Sequence, residues 1–349
     1  MDFDTYTHRA AIEQALKAFL PSVISAEWAD KVVGLARWKQ DTTALTKAVS
    51  EPVWDFLIRG GKRWRPMLMC ICCEAVGGKA KEIIPFTVIP ELIHNGTLIT
   101  DDIEDNSELR RGKLVLHKLF GTGVALNAGE TLYLLPFTVI RDSSLPADTK
   151  RKAYEIISTQ LLKCFFGQAI DISWGAQQSS RLPTEEEYLQ MCANKSGSLA
   201  CMAAKLGALL GNGTMQHIEA LGKFGETAGV VFQIQDDILN ISENRAIGKD
   251  FGDDITEGKR TLLVMHTLHV APEQESRRLL EILGMHTRDT RLMQEAIAII
   301  TKHGSIEYAK KVASQLAEQA WREIDTLLPA SDAKNHLRDL AQLLINRVV

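Results

Sequence analysis

The sequence predicts an all-α protein, on three observations. Apolar residues recur at three- and four-residue steps over long stretches, as helices with one buried face require. Alternating runs bounded by hairpin dipeptides are scarce, so strands have little to form from. Glycine and proline punctuate singly or in pairs, at Gly77-Gly78, Pro146, Pro183, Gly211-Asn212-Gly213 and Pro272, which marks short loops. Roughly a dozen helices are expected, joined into one large bundle around a central cavity.

Of the 349 residues, 45% are hydrophobic, enough for a large core. Net charge is −4, so no basic excess exists to track a nucleic-acid backbone. The N-terminus has neither a basic region nor an apolar run, so no signal peptide is expected. No stretch reads as long and apolar enough to span a bilayer. Cys70, Cys72, Cys73, Cys164, Cys192 and Cys201 read as reduced thiols packed like small hydrophobes. A cytoplasmic protein without a transmembrane segment is the expectation.

Along the chain, Gly60-Gly61-Lys62-Arg63-Trp64-Arg65-Pro66 sets three cations behind two glycines. The G-x-x-x-x-G-K-[ST] spacing of a P-loop is absent. Pro90 suits the opening of a helix and Glu91 its first turn. From there His94, Leu98, Asp101 and Asp105 share one helical face. Asp101 and Asp105 are one turn apart, so their carboxylates can converge on a cation. Magnesium suits such oxygen donors, because it binds few carboxylates and bridges to substrate phosphate. Arg110-Arg111-Gly112 follows at once; arginine forks match phosphate, and glycine lets the backbone turn beside a ligand. Glu91-Leu92-Ile93-His94 has di-iron spacing, but that architecture needs a second copy and the sequence holds none.

Lys195-Ser196-Gly197-Ser198 interrupts an apolar helix. A second acidic cluster sits in 232–240, where Gln233, Asp236, Asp237 and Asn240 form one stripe among Phe232, Ile234, Ile238 and Leu239. A polar stripe in a greasy helix suggests a cavity wall. Gly248-Lys249-Asp250 leads on to Gly258-Lys259-Arg260-Thr261. Helical periodicity resumes over 306–328, breaks at Pro329-Ala330-Ser331, and continues through Leu337, Leu340 and Leu344. No linker parts the two acidic clusters, so a single domain over 1–349 is expected, with residues 1–20 peripheral.

These residues resemble the trans-isoprenyl diphosphate synthases (the polyprenyl synthetase family), and within it geranylgeranyl and longer polyprenyl synthases. The resemblance runs from about Phe56 to Arg347. Asp101-Asp102-Ile103-Glu104-Asp105 with Arg110-Arg111-Gly112 looks like the first Asp-rich motif. Gln233-Ile234-Gln235-Asp236-Asp237 looks like the second, and Gly61-Lys62-Arg63-Trp64-Arg65-Pro66 like the isopentenyl diphosphate motif. The resemblance implies that Asp101, Asp105 and Asp236 hold magnesium, three ions per site with manganese able to substitute. It implies that Arg110, Lys195, Gln233, Lys249 and Lys259 serve the allylic diphosphate, and that Lys62, Arg65, His94 and Arg111 hold isopentenyl diphosphate. It further implies a homodimer. Asn240 stands where many members carry a third Asp, and Leu114 where a proline is common.

The implied reaction is head-to-tail condensation, with Asp101, Asp105, Arg110, Lys195, Asp236 and Lys249 as its catalytic set. Gly96 and Thr97 lie one turn before Asp101, where farnesyl-forming relatives carry an aromatic. Their small size implies a product of C20 or longer. A class I terpene cyclase is the alternative, against which Lys62, Arg65 and His94 argue, since a cyclase needs no second diphosphate site. A non-catalytic regulatory subunit is a further alternative, against which the intact first motif argues.

Overall fold

The computed structural model describes residues 6–175, 181–242 and 252–345. The fold is all-α, and the strands among the described residues form one short ribbon, β1 (Leu109–Arg110) paired antiparallel with β2 (Lys113–Leu114). The helices that position the site are α1 (Arg9–Phe19), α2 (Trp64–Ala75), α3 (Val88–Glu104), α4 (Thr122–Leu134), α5 (Ala147–Gly175), α6 (Ser198–Leu210), α7 (Met215–Asn240), α8 (Leu262–Val270), α9 (Ser305–Asp325) and α10 (Asp332–Ile345). Helical segments outnumber the expected dozen, because short turns of helix fill connections that the sequence suggests are loops.

Helix α6 is the centre. It is buried almost all round, as a helix apolar on every face must be, and it packs between α2 and α7, with α5 alongside. Glycine sets the spacing. A Cβ on Gly207 would stand 2.1 Å from the Met69 carbonyl oxygen, and one on Gly225 2.6 Å from that of Ala200. Outside this centre, α3 packs on α4, and α9 on α7 and α8. Helix α7 starts at a capping box: the Thr214 hydroxyl accepts from the His217 amide at 3.2 Å, and the His217 ring accepts from the Thr214 amide at 3.3 Å. Two otherwise orphaned donors at its start are thereby satisfied.

Helix α3 begins at Val88, after a tight turn over Ile84–Thr87, and not at Pro90. Amides of a first turn have no intrahelical acceptor, so a proline fits anywhere within it. A second expectation is also corrected. Thr122–Asp142 is, by length and composition, apolar enough to cross a bilayer. Pro136 breaks this stretch after α4 and starts a separate short helix, Phe137–Asp142. Ala125, Ala128, Gly129 and Leu132 on α4 are buried, while Leu126 and Leu134 are exposed.

A contiguous hydrophobic core runs from Tyr6 to Ala341. Tyr6 also meets the His336 ring edge-on at 6.2 Å, which brings the start of the described chain onto α10. Cys70 and Cys73 stand at C-x-x-C spacing, yet both are fully buried inside α2. Burial pushes the Cys73 thiol up to about 12, and all six cysteines are free and buried. They pack as hydrophobes.

Replacing Gly207 with alanine is expected to destabilise by about 1–3 kcal/mol through overpacking, although alanine is the better helix former by ~1 kcal/mol. A fall in the urea midpoint checks this; an unchanged or higher midpoint contradicts the close approach of α2 and α6.

Candidate active site

The first acidic cluster ends α3, where the helix dipole is negative and cations are favoured. Asp101 accepts from Lys195 Nζ at 3.2 Å, Gln168 Nε2 at 3.0 Å and Arg110 Nη2 at 3.4 Å. Lys195 rides a π-helical turn, Ala193–Gly197, that runs into α6, and its ammonium also meets Asp171 of α5 at 2.5 Å. Close backbone packing fixes that turn: a Cβ on Gly167 would lie 2.2 Å from the Lys195 amide nitrogen. Burial by itself would lower the Lys195 ammonium, but Asp101 and Asp171 hold it well above the usual range, so it stays charged.

Arg110 and Arg111 differ although adjacent. They belong to the ribbon, whose two-residue turn has φ 54° at Arg111 and 74° at Gly112, the positive pair a tight hairpin requires. Arg110 is buried and donates from Nε to Asp102 at 2.8 Å. Burial would depress this guanidinium, but Asp102 and Asp101 raise it. Arg111 instead lies over the Phe56 ring at 5.0 Å and faces Asn95 at 3.5 Å.

The second cluster repeats this division of labour. Asp236 faces a cavity, while Asp237 is buried, accepting from Tyr188 Oη at 2.7 Å and Gln233 Nε2 at 2.8 Å. Gln233 in turn accepts from Ser196 at 2.7 Å. Neighbouring residues of a helix point about 100° apart, so only one aspartate of each pair can face the same space. The Asn240 side chain accepts from the Asp254 amide at 3.2 Å, tying the next segment to the end of α7.

A second, cationic group lines the same cavity. Arg65, in the first turn of α2, is buried, and its Nε has no hydrogen-bond partner among the described residues; its guanidinium lies over Trp64 at 4.6 Å. Trp64 stacks on Phe232 of α7 at 5.4 Å. Burial pushes Arg65 and Arg111 down to about 10, the mark of cations short of counter-charge. Burial, then Arg65 and Arg111, hold the His94 imidazole well below its ordinary value, so it is neutral. A buried guanidinium with an unmet donor is costly unless an anion completes it.

Both groups open on one cavity of about 900 Å³. Asp101, Asp236, Lys195, Lys259, Arg110 and Gln233 line it, and so do Lys62, Arg65, His94 and Arg111. Leu98, Tyr133, Phe165, Leu199 and Phe232 give it apolar wall. The donor set suits a hard divalent cation: oxygen ligands on facing helices, with Asp105 pushed up to about 7 by burial against the pull of Lys259. Among the described residues no three His, Cys, Asp or Glu side chains form a ready cage. Magnesium sites of this open kind are completed by water and phosphate oxygens.

Comparison with known proteins decides the family. Residues 46–300 match the polyprenyl synthetase family model. The chain is 38% identical over 291 residues to a short chain isoprenyl diphosphate synthase of Methanothermobacter thermautotrophicus, covering 82% of this chain and 87% of that protein. It belongs to the polyprenyl synthetase family. It is also 34% identical to a geranylgeranyl pyrophosphate synthase of Geoglobus acetivorans, over 84% of this chain and 88% of that one. The crystal structure of geranylgeranyl pyrophosphate synthetase from Pyrococcus horikoshii superposes with a TM-score of 0.84 at 31% identity, over 99% and 98% of the two chains.

Within this polyprenyl synthetase the predicted residues converge with three exceptions. Lys249 lies outside the described residues. Asp105 is not part of the cavity wall; it meets Lys259 at 3.3 Å, and Lys259 reaches the cavity. Gly96 is a correction. It faces α4, where a Cβ would stand 2.9 Å from the Gly129 carbonyl oxygen and 3.0 Å from Leu132 Cβ. It is a packing glycine and does not bound the cavity, whereas Thr97 does. Of the aromatics, Tyr133 and Phe165 line the cavity and meet edge-on at 5.1 Å, while Phe137 stacks on Tyr154 elsewhere. The Tyr133 hydroxyl pairs with Thr100 at 2.5 Å.

Sequence reasoning missed Gln168, Asp171 and Tyr188. All three lie in stretches without a cluster of like residues, and only the fold brings them to the aspartates. Tyr188→Phe should leave Asp237 short of one strong donor and lower stability by about 1–3 kcal/mol, measured by chemical denaturation. Its activity loss should be smaller than that of Asp236→Asn; the reverse order would put Tyr188 in contact with substrate.

Proposed function

We propose that this polyprenyl synthetase condenses isopentenyl diphosphate head-to-tail with an allylic diphosphate, yielding an all-trans polyprenyl diphosphate of C20 or longer. The observation that carries the reading is one cavity lined by Asp101 and Asp236, by a group of cations that those aspartates do not pair, Arg65 and Arg111, and by apolar side chains. Two anionic headgroups and one hydrocarbon tail fit that division.

Lys195, Arg110 and Lys259 hold the allylic diphosphate, with Gln233 on the same side. Asp101 and Asp236 at the cavity, with Asp105 behind them beside Lys259, would hold magnesium, three ions with substrate present and manganese able to substitute, which would supply charge neutralisation of the departing diphosphate. The allylic C–O bond breaks, and the electron pair leaves with the diphosphate. Lys62, Arg65 and Arg111 hold isopentenyl diphosphate so that its double bond faces the allylic cation; neutral His94 donates a hydrogen bond there without adding charge. A new C–C bond forms, and the departing diphosphate takes the proton released. Fixed cations act strongly in a site that excludes water, and the apolar wall keeps water from the cation. Lys249 completes the allylic side in this reading.

The second cationic group supports a transferase over a cyclase, and intact first-motif aspartates support a catalytic chain over a regulatory one. A cytoplasmic homodimer, proposed on the family resemblance, accommodates Leu134 on α4 and Leu162 and Phe166 on α5, which are otherwise exposed apolar surface.

The test is product analysis with dimethylallyl, geranyl and farnesyl diphosphates, each with isopentenyl diphosphate and magnesium. Chelation should abolish turnover and magnesium restore it, and Asp101→Asn should cost about 10²–10³-fold in kcat. Cyclic hydrocarbon formed without isopentenyl diphosphate would decide for the cyclase. Thr97→Phe should shorten the product, read by chromatography of the dephosphorylated alcohols; an unchanged length would remove Thr97 from the tail's path.

A further inference from the structure

Helix α1 lies outside the span of the family model, yet it reaches the cationic group at the cavity. Arg9, in its first turn, lines the cavity. Its Nη2 donates to the Gly61 carbonyl at 3.3 Å and its Nη1 to the Lys62 carbonyl at 3.4 Å. One turn on, and so on the same face, Glu13 accepts from Arg63 Nε at 2.9 Å. Arg63 also donates to Glu91 at 2.7 Å, and Glu91 accepts from Asn95 at 2.7 Å. Asn95 faces Arg111. A continuous run of contacts thus joins α1 to the loop bearing Lys62 and to Arg111.

That loop needs holding. Gly60, Gly61 and Arg63 have φ of 91°, 141° and 50°, and a non-glycine residue at positive φ persists only where its surroundings impose it. A Cβ on Gly61 would meet Arg111 Nη2 at 3.2 Å, so the loop and the arginine pack together.

We propose that Arg9 is a positioning residue for the isopentenyl diphosphate subsite. Its guanidinium fork clamps the loop 60–63 by two carbonyls, with Glu13 as the second anchor, and so sets where Lys62 presents its ammonium. This rests on the substrate assignment above. At 3.3–3.4 Å the two bonds are long, so their loss should change global stability little, while the loop they touch carries Lys62 at the cavity wall.

Steady-state kinetics of the full chain with each substrate varied, alongside thermal melting, tests it. Arg9→Ala should raise the KM for isopentenyl diphosphate about five- to tenfold, with the allylic KM, kcat and melting temperature little changed. Arg9→Lys keeps the charge but cannot grip two carbonyls as a planar fork does, and should retain at least a threefold rise. Glu13→Gln should move the same KM two- to threefold, and carries the test should Arg9→Ala misfold. An isopentenyl KM within twofold of wild type in these variants overturns the clamp. Full recovery in Arg9→Lys, or equal rises in both KM values, also overturns it. Wild-type chain that never consumes isopentenyl diphosphate sinks the substrate assignment itself, and the clamp with it.

Discussion

Carboxylates buried beside one another inside an apolar bundle are the constraint on which this structure turns. Asp101, Asp102 and Asp105 end one helix, and Asp236 and Asp237 lie on another, among residues that would otherwise pack as oil. Such a cluster tolerates burial only when each charge is met. The chain meets them from many places: Lys195 from the turn before α6, Arg110 from the ribbon, Lys259 from the segment before α8, and Tyr188 as a neutral donor. Most of the tertiary arrangement near the cavity can be read as the set of elements that must arrive together to make those ends of α3 and α7 affordable.

The pairing of aspartates divides structural from reactive roles. Asp102 and Asp237 are spent inside the protein, on Arg110 and on Tyr188 with Gln233. Their neighbours Asp101 and Asp236 are left facing the cavity. The buried member fixes the rotation of its helix, because a turned helix would strand a charge in the core. The cavity-facing member therefore points where it does by virtue of the residue beside it.

Much of this was legible in the sequence. Helical periodicity, short loops and two acidic clusters sufficed for the fold class and for the idea of one shared cavity, since clustered charge in apolar surroundings is visible without coordinates. Less visible was anything that depends on which helices touch. Gly96 reads equally as room for a tail or room for a neighbour, and only the Gly129 backbone against it settles the matter. Gln168 and Asp171 sit singly in a long helix and give no local signal. The stripe Gln233, Asp236, Asp237 and Asn240 looked like one wall but serves three surroundings, because a helical stripe of that width is broader than the cavity it meets. Arg9 was invisible for a related reason: it acts on main-chain carbonyls, which carry no sequence signature.

The edge-on meeting of Tyr6 with His336 bears on how the molecule assembles. Residues more than three hundred positions apart along the chain are neighbours, so that contact closes a loop spanning nearly all of the described chain. Loop closure of that length costs only a few kcal/mol of entropy, but pairings so distant in sequence come late in folding. A ribosome must release nearly all of the polypeptide before Tyr6 finds its C-terminal companion, and until then the neighbouring α1 has only elements made soon after it to pack on.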